Sequence, residues 1–386
     1  MSDNVTLALD FACAHGSIAA DLVPVLAMNR LESVRDVIAK QLQSEGHDAV
    51  AAPMNAFKNG DGNAWRPETG LAQSALGQGE SRLAALQWAL ASAGAGGIGV
   101  LETELDASAW LFFEGWLLVA HQSCSVIAHA DHLEISSASG RFEFCHDEQG
   151  WRPTGGMPSP GPWNVSLTGA AGPRYMMESL SRNSVSGFPW PAIGSMRATP
   201  SAQSNIGAKV TRIREACQLI TAHGGEYASW VASTAAGCML LDDGGLNLAA
   251  NNSGYEYPGL IAINPPDSAL HCSEILVHES SRQQLLAYMM VAALVEDGKN
   301  EIFYSPLKRS YETIGRMLIS AHVTGNIVLY YRELERSILL DSAARERYAM
   351  HRIWFAEHYV RGLSESWSLT EAGRALWQRL QATVAG

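Results

Sequence analysis

His278, Glu279 and Arg282 fall within one stretch, EILVHESSRQQLLAYMM. A helix puts positions i and i+4 on one face, so H-E-x-x-H lets two imidazoles grip a metal ion. The glutamate is then left as a base or as a group that orients a ligand. Here the fifth position is Arg282. A guanidinium has five donors and no acceptor and stays protonated, so it cannot ligate a metal, but it can bind a carboxylate. The same residues also have a purely architectural reading: a buried His278 with a hydrogen-bond partner, and Glu279 paired with Arg282 one turn away.

Other candidates are scattered. HADH places His129 and Asp131 in an H-x-D spacing on an expected strand. With His271 as a distant third ligand and Arg282 as a co-substrate cation, this would be the triad of the jelly-roll oxygenases. His223 and Glu226 flank two glycines, which marks a helix end. His351 and His358 lie seven apart in an aromatic stripe, as core packing would place them. There is no G-x-G-x-x-G after a strand, no G-K-S/T loop and no G-x-S-x-G elbow.

The elements that must carry these residues are more legible in the second half of the chain. Apolar spacing predicts a helix over 205–223, stopped at Gly224, and strands at AGCMLLDD and GLIAINPP. Helices follow over 269–297, 314–335 and 342–362, and a last one begins at the N-cap Thr370. In the first half, residues 31–46 and 80–97 read as helices. Residues 51–79 read as loop, 125–147 as a hairpin and 150–162 as a Pro/Gly connector. The expected fold is α+β: an N-terminal α+β region over 1–200 and a mainly helical region over 201–386 around the His278 helix.

Over roughly 205–386 the chain resembles the HExxH-type peptide-modification proteins encoded in biosynthetic gene clusters. The resemblance rests on GLIAINPP, LVHESSR, YSPLKR, SAHVTGN and LTEAGRALWQRL in that order. It implies an iron(II)- and 2-oxoglutarate-dependent oxygenase that hydroxylates a side chain at its β-carbon. It further implies a peptide or a carrier-bound amino acid as substrate. His278 and Glu279 match the motif, Ser305 and Pro306 match the turn, and His322 matches a downstream histidine that would be a further metal ligand. Arg282 departs from the second histidine, Lys308 from an arginine and Glu312 from a second arginine. Arg282, Lys308 or Arg309 would then take the carboxylate of substrate or co-substrate, and Arg316 is a further cation that could compensate. These departures weaken iron binding and keep two other readings open. One is a metal-free homologue that binds a peptide or partner. The other is a non-oxidative enzyme with Glu279 as base and Arg282 as carboxylate binder. In each case the His278 cluster should border an interior cavity, and little stoichiometric iron is expected.

Bulk properties narrow the class. The 386 residues carry a net charge of −12 and are 47% hydrophobic, so a large core is affordable and a phosphate-binding surface is not expected. The six cysteines form no CxxC pair, which fits reduced buried thiols. No basic leader and no apolar run of membrane-spanning length are present, so a cytoplasmic protein off the membrane is expected.

Overall fold

The computed structural model describes residues 3–58, 60, 63–147, 150–154, 175–178, 206–240, 251–252, 257–298, 301–306 and 309–386. It is a mixed α+β fold with a helical C-terminal half. The chain opens with α1 (Asp3–Asp10), α2 (Ala19–Ser44), α3 (Asp48–Ala56), α4 (Pro67–Gly77) and α5 (Ser81–Gly94). Val23, Ala27, Leu31, Val34, Ile38 and Leu42 recur every three or four residues along α2 and are buried, as an amphipathic helix requires.

The expected loop over 51–79 is corrected here, because α3 ends and α4 forms within it. The buried residues of α4 are Pro67, Glu68, Thr69, Gly70, Leu71, Ala72 and Ala75, most of them small. Small residues give a weak hydrophobic period, but they allow close packing on the alanine-rich α5, whose Ala84, Ala85 and Ala89 are buried.

Seven strands follow: β1 (Gly99–Glu104), β2 (Ala109–Phe113), β3 (Trp116–Ala120), β4 (Ser123–Ala128), β5 (His132–Ser137), β6 (Gly140–Asp147) and β7 (Gly150–Pro153). β2 and β3 form a hairpin closed by Glu114 and Gly115, at φ 47° and 85°. Two positive φ values in a two-residue turn match the strand twist, and glycine takes the second without strain. The other five make an antiparallel sheet in the order β1-β4-β5-β6-β7, which includes the expected hairpin. A second sheet runs β10-β11-β9-β8, from β8 (Tyr175–Glu178), β9 (Gly237–Leu240), β10 (Asn251–Asn252) and β11 (Leu260–Ile263). β9 and β11 pair in parallel and are buried throughout, which explains their unbroken apolar runs.

In the C-terminal half, α6 (Ile206–His223) and α7 (Tyr227–Thr234) precede β9, and α8 (Ala269–Met289) follows β11. The hairpin β12 (Ile302–Ser305) and β13 (Ser310–Thr313) leads into α9 (Ile314–Glu335). α10 (Ser342–Ile353) runs through a π-helical turn at Trp354–Tyr359 into α11 (Val360–Ser364), and α12 (Glu371–Ala385) closes the chain. Thr370 caps α12 by accepting a hydrogen bond from the Gly373 N–H at 3.0 Å, as expected.

α8 is shorter than expected. It stops at Met289 because the backbone beyond is captured in extended pairing: Val295 bridges Leu369, and the Glu296 N–H bonds the Ser368 carbonyl at 2.8 Å. α1 is embedded in this half. Phe11 stacks on Tyr288 with ring centres 5.3 Å apart, and the Tyr288 hydroxyl donates to the Asn4 carbonyl. No helix among the described residues is long and apolar enough to cross a membrane.

Candidate functional site

Ser268 starts α8 by accepting from the His271 N–H at 3.3 Å. The helix is then buried nearly all round, although it carries Ser273, Glu274, Glu279, Ser280, Ser281, Gln283 and Gln284 at positions closed to solvent. Buried groups of this kind are mostly hydrogen-bonded. Gln283 accepts from the Trp65 indole at 2.9 Å and from the Gly259 N–H at 3.2 Å, and Gln284 donates to the Trp230 carbonyl at 3.0 Å. Ser281 accepts from the Trp230 indole at 3.2 Å.

His278 and Arg282 leave this packed helix on one side. Together with Glu312, Arg316, Ile319, Ser320 and Val323 they line a pocket of about 250 Å³. α9 supplies the aliphatic wall through Ile319 and Val323, one turn apart. Arg316 also reaches back one turn to Glu312 at 3.2 Å. The lining therefore holds two guanidiniums, a carboxylate, an imidazole and a hydroxyl against two aliphatic chains. A larger concavity of about 640 Å³ lies over β1, β4 and β5, but its polar lining is Gln122, four serines and Glu104, with no cation and no imidazole. The chemistry therefore favours the smaller pocket.

His278 is one-fifth exposed, and its Nε2 lies 3.5 Å from the Glu279 carboxylate. Burial pushes its pKa below the usual histidine value, and the Glu279 charge only partly offsets this. The imidazole is thus neutral near pH 7 and has a lone pair to offer. Glu279 is 1% exposed and is not among the residues lining the pocket, so it backs the imidazole.

The other sequence candidates are placed differently. His322 lies on α9 but not in the pocket lining. It is fully buried, donates from Nε2 to the Phe11 carbonyl at 2.8 Å, and stacks on Trp230 with ring centres 6.4 Å apart. Burial takes its pKa down to about 4. Asn326, one turn on, donates to the Ala12 carbonyl at 3.1 Å and accepts from the Tyr227 hydroxyl at 2.9 Å. His322 therefore locks the N-terminal segment onto α9.

Arg309 is exposed in the β12–β13 turn and is not among the lining residues either. Lys308 lies outside the described residues. Glu312, read from the sequence as a charge reversal, is a wall of the pocket. His129 and Asp131 occupy the exposed β4–β5 turn.

The iron implied by the resemblance needs three donors converging on one point. Among the described residues no three His, Cys, Asp or Glu side chains are arranged to hold a metal ion. His278 Nε2 lies 3.5 Å from the Glu279 carboxylate, and Nε2 of His322 is committed to a carbonyl. This donor set does not fit a facial triad.

Sequence reasoning missed Glu274, one turn before His278. It is buried and accepts from His351 Nε2 at 3.0 Å, from the Tyr331 hydroxyl at 2.5 Å and from Arg347 Nε at 2.8 Å. Burial alone would raise its pKa, but the hydrogen bond and charge of His351, with the Tyr331 hydroxyl, hold it at about 2. The network ties α8 to α9 and α10 behind the pocket. The available signal was the i, i+4 spacing of Glu274 and His278, with His351 sharing a helix with Arg347. Comparison with family models and with curated proteins gives no match to this chain.

Proposed function

We propose that this chain binds an amino acid, free or at the end of a peptide, in the His278 pocket and modifies it by proton transfer. The carrying observation is the lining itself, with cations, a carboxylate and an aliphatic wall in one small space. Arg282 and Arg316 take a carboxylate, a match that guanidinium geometry favours. Glu312 faces an ammonium or a peptide N–H. Ile319 and Val323 cover an aliphatic side chain, and neutral His278 is the proton acceptor. The volume falls below the roughly 300–1,000 Å³ of pockets for drug-sized ligands, which suits a single residue.

Calorimetry with an aliphatic amino acid, its matching carboxylic acid and its matching amine tests this reading. The amino acid should bind tightest, the acid more weakly and the amine not at all. Equal binding of acid and amine would refute it.

A second reading, β-hydroxylation of a peptide residue with iron(II) and 2-oxoglutarate, draws on the order of segments over 205–386. Elemental analysis after anaerobic reconstitution separates the two. One tightly held iron per chain would favour the oxygenase.

A further inference from the structure

The β12–β13 ribbon turns its two faces to different environments. Its inner face carries Phe303, buried Ser305 and Glu312, with Phe303 packed on Gly362. Its outer face carries Ile302, 63% exposed, with Tyr304 and Tyr311, the latter 73% exposed. Tyr304 and Tyr311 are directly opposed, ring centres 5.9 Å apart.

The backbone is divided in the same way. The Ile314 N–H bonds the Glu301 carbonyl at 3.0 Å. In an antiparallel ladder the mutually bonded pairs recur every second residue, so Phe303–Glu312 and Ser305–Ser310 are the bonded pairs. The N–H and C=O of Tyr311 therefore point out of the ribbon, and so do those of Tyr304. The β12 side leans on the π-helical turn, where Tyr304 meets His358 at 6.2 Å. Among the described residues no strand pairs with the outer edge of β13. An open edge beside exposed aromatic rings is a template for another extended chain.

Charge narrows the occupant. Exposed Arg309 stands at one end of β13 and Arg316, 74% exposed, just past the other. Arg316 is also paired with Glu312 at 3.2 Å, so the unbalanced positive charge lies at the Arg309 end, on a chain whose net charge is −12. Glu312 carries the same strand into the pocket wall. A strand added at the usual spacing of about 4.8 Å would therefore pass the mouth of the pocket.

We infer that an extended, acidic peptide pairs with the outer edge of β13 and lies against Tyr311, which brings one of its residues to the His278 pocket. This deepens the proposed function and rests on it for the pocket alone; the edge pairing stands on the ribbon.

The probe is a fluorescein-labelled hexapeptide of alternating glutamate and valine, followed by anisotropy, with the lysine–valine peptide as control. The glutamate peptide should bind at least tenfold tighter. N-methylating its backbone amides one at a time should weaken binding at every second position only. Tyr311→Ser, a change at an exposed side chain, should weaken the peptide about tenfold and leave amino-acid binding in the pocket unchanged. Equal loss at all N-methyl positions, or no preference between the two peptides, would overturn the inference. So would sedimentation showing that this face instead joins two copies of the chain and that Tyr311→Ser separates them. Period-two peptide binding without any amino-acid binding would sink the pocket reading and leave the docking edge standing.

Discussion

His278 and His322 stand on neighbouring helices, and burial lowers the pKa of both. One faces a cavity beside two arginines. The other is sealed against Trp230, with its Nε2–H given to the Phe11 carbonyl. A depressed histidine pKa reports only enclosure. What separates a reactive imidazole from a structural one is whether space and complementary charge lie next to it.

The largest effect should come from removing what stands behind the pocket. Glu274→Ala removes the carboxylate from the Arg347 guanidinium and leaves His351 Nε2 without its acceptor, and should cost about 3–5 kcal/mol of stability, as for one partner of a buried ion pair. Thermal unfolding would measure it; a loss below about 1 kcal/mol would mean that the network is relaxed by water.

Next is the pocket itself. Arg282→Met should weaken amino-acid binding by about 2–5 kcal/mol in calorimetry, the range for removing one partner of a desolvated charge pair. Unchanged affinity together with raised stability would make Arg282 a structural residue and erase the contrast with His322.

The third test uses pH. His322 has a folded pKa of about 4 against an ordinary 6.5, so its stability contribution is present above pH 6.5 and is lost as pH falls toward 4. Glu68 is opposite in sign. It is buried, bonded to the Glu114 N–H at 2.8 Å, and burial raises its pKa to about 7 from 4.5. Its contribution is full below pH 4.5 and is lost as pH rises toward 7. Between pH 4.5 and 6.5 the two slopes, each at most about 1.4 kcal/mol per pH unit, cancel. Relative to the parent, Glu68→Gln should therefore lose stability as pH falls through that window, and His322→Gln should gain it. Denaturant titrations at pH 5 and 6.5 check both signs.

The smallest effect belongs to the exposed arm of the pocket. Arg316→Ala breaks a pair with Glu312 in which Arg316 is 74% exposed. Stability should change by less than about 1 kcal/mol, and amino-acid affinity should fall less than in Arg282→Met.

Much of this was legible in the sequence where side chains are large and spaced by a helical period. The helices carrying His278 and His322 were, and so was the capping Thr370. α4 was not, because its buried face is mostly small residues, and a single leucine, Leu71, sets no apolar period. The true end of α8 was hidden too, since pairing with a segment some 70 residues later decides it. At the site, the sequence pointed to His278 and Arg282 through a motif. It read His322 as a metal ligand, and the contact that the structure shows, with the carbonyl of residue 11, leaves no mark near residue 322. Glu274 was passed over for the same reason: its partners come from Tyr331, Arg347 and His351, on two other helices.

The lock between α9 and the segment just after α1 also bears on how the chain is made. Phe11 and His322 are 311 positions apart, and Ala12 and Asn326 are 314 apart. At a translation rate of about 5–20 residues per second, roughly 15–60 s pass between the emergence of the first partner and that of the second. During that interval the Phe11 carbonyl has no native donor, and the Phe11 ring stays uncovered until Tyr288 emerges. This segment, made 311 positions before His322, is thus secured late, and until then it is open to chaperones and proteases.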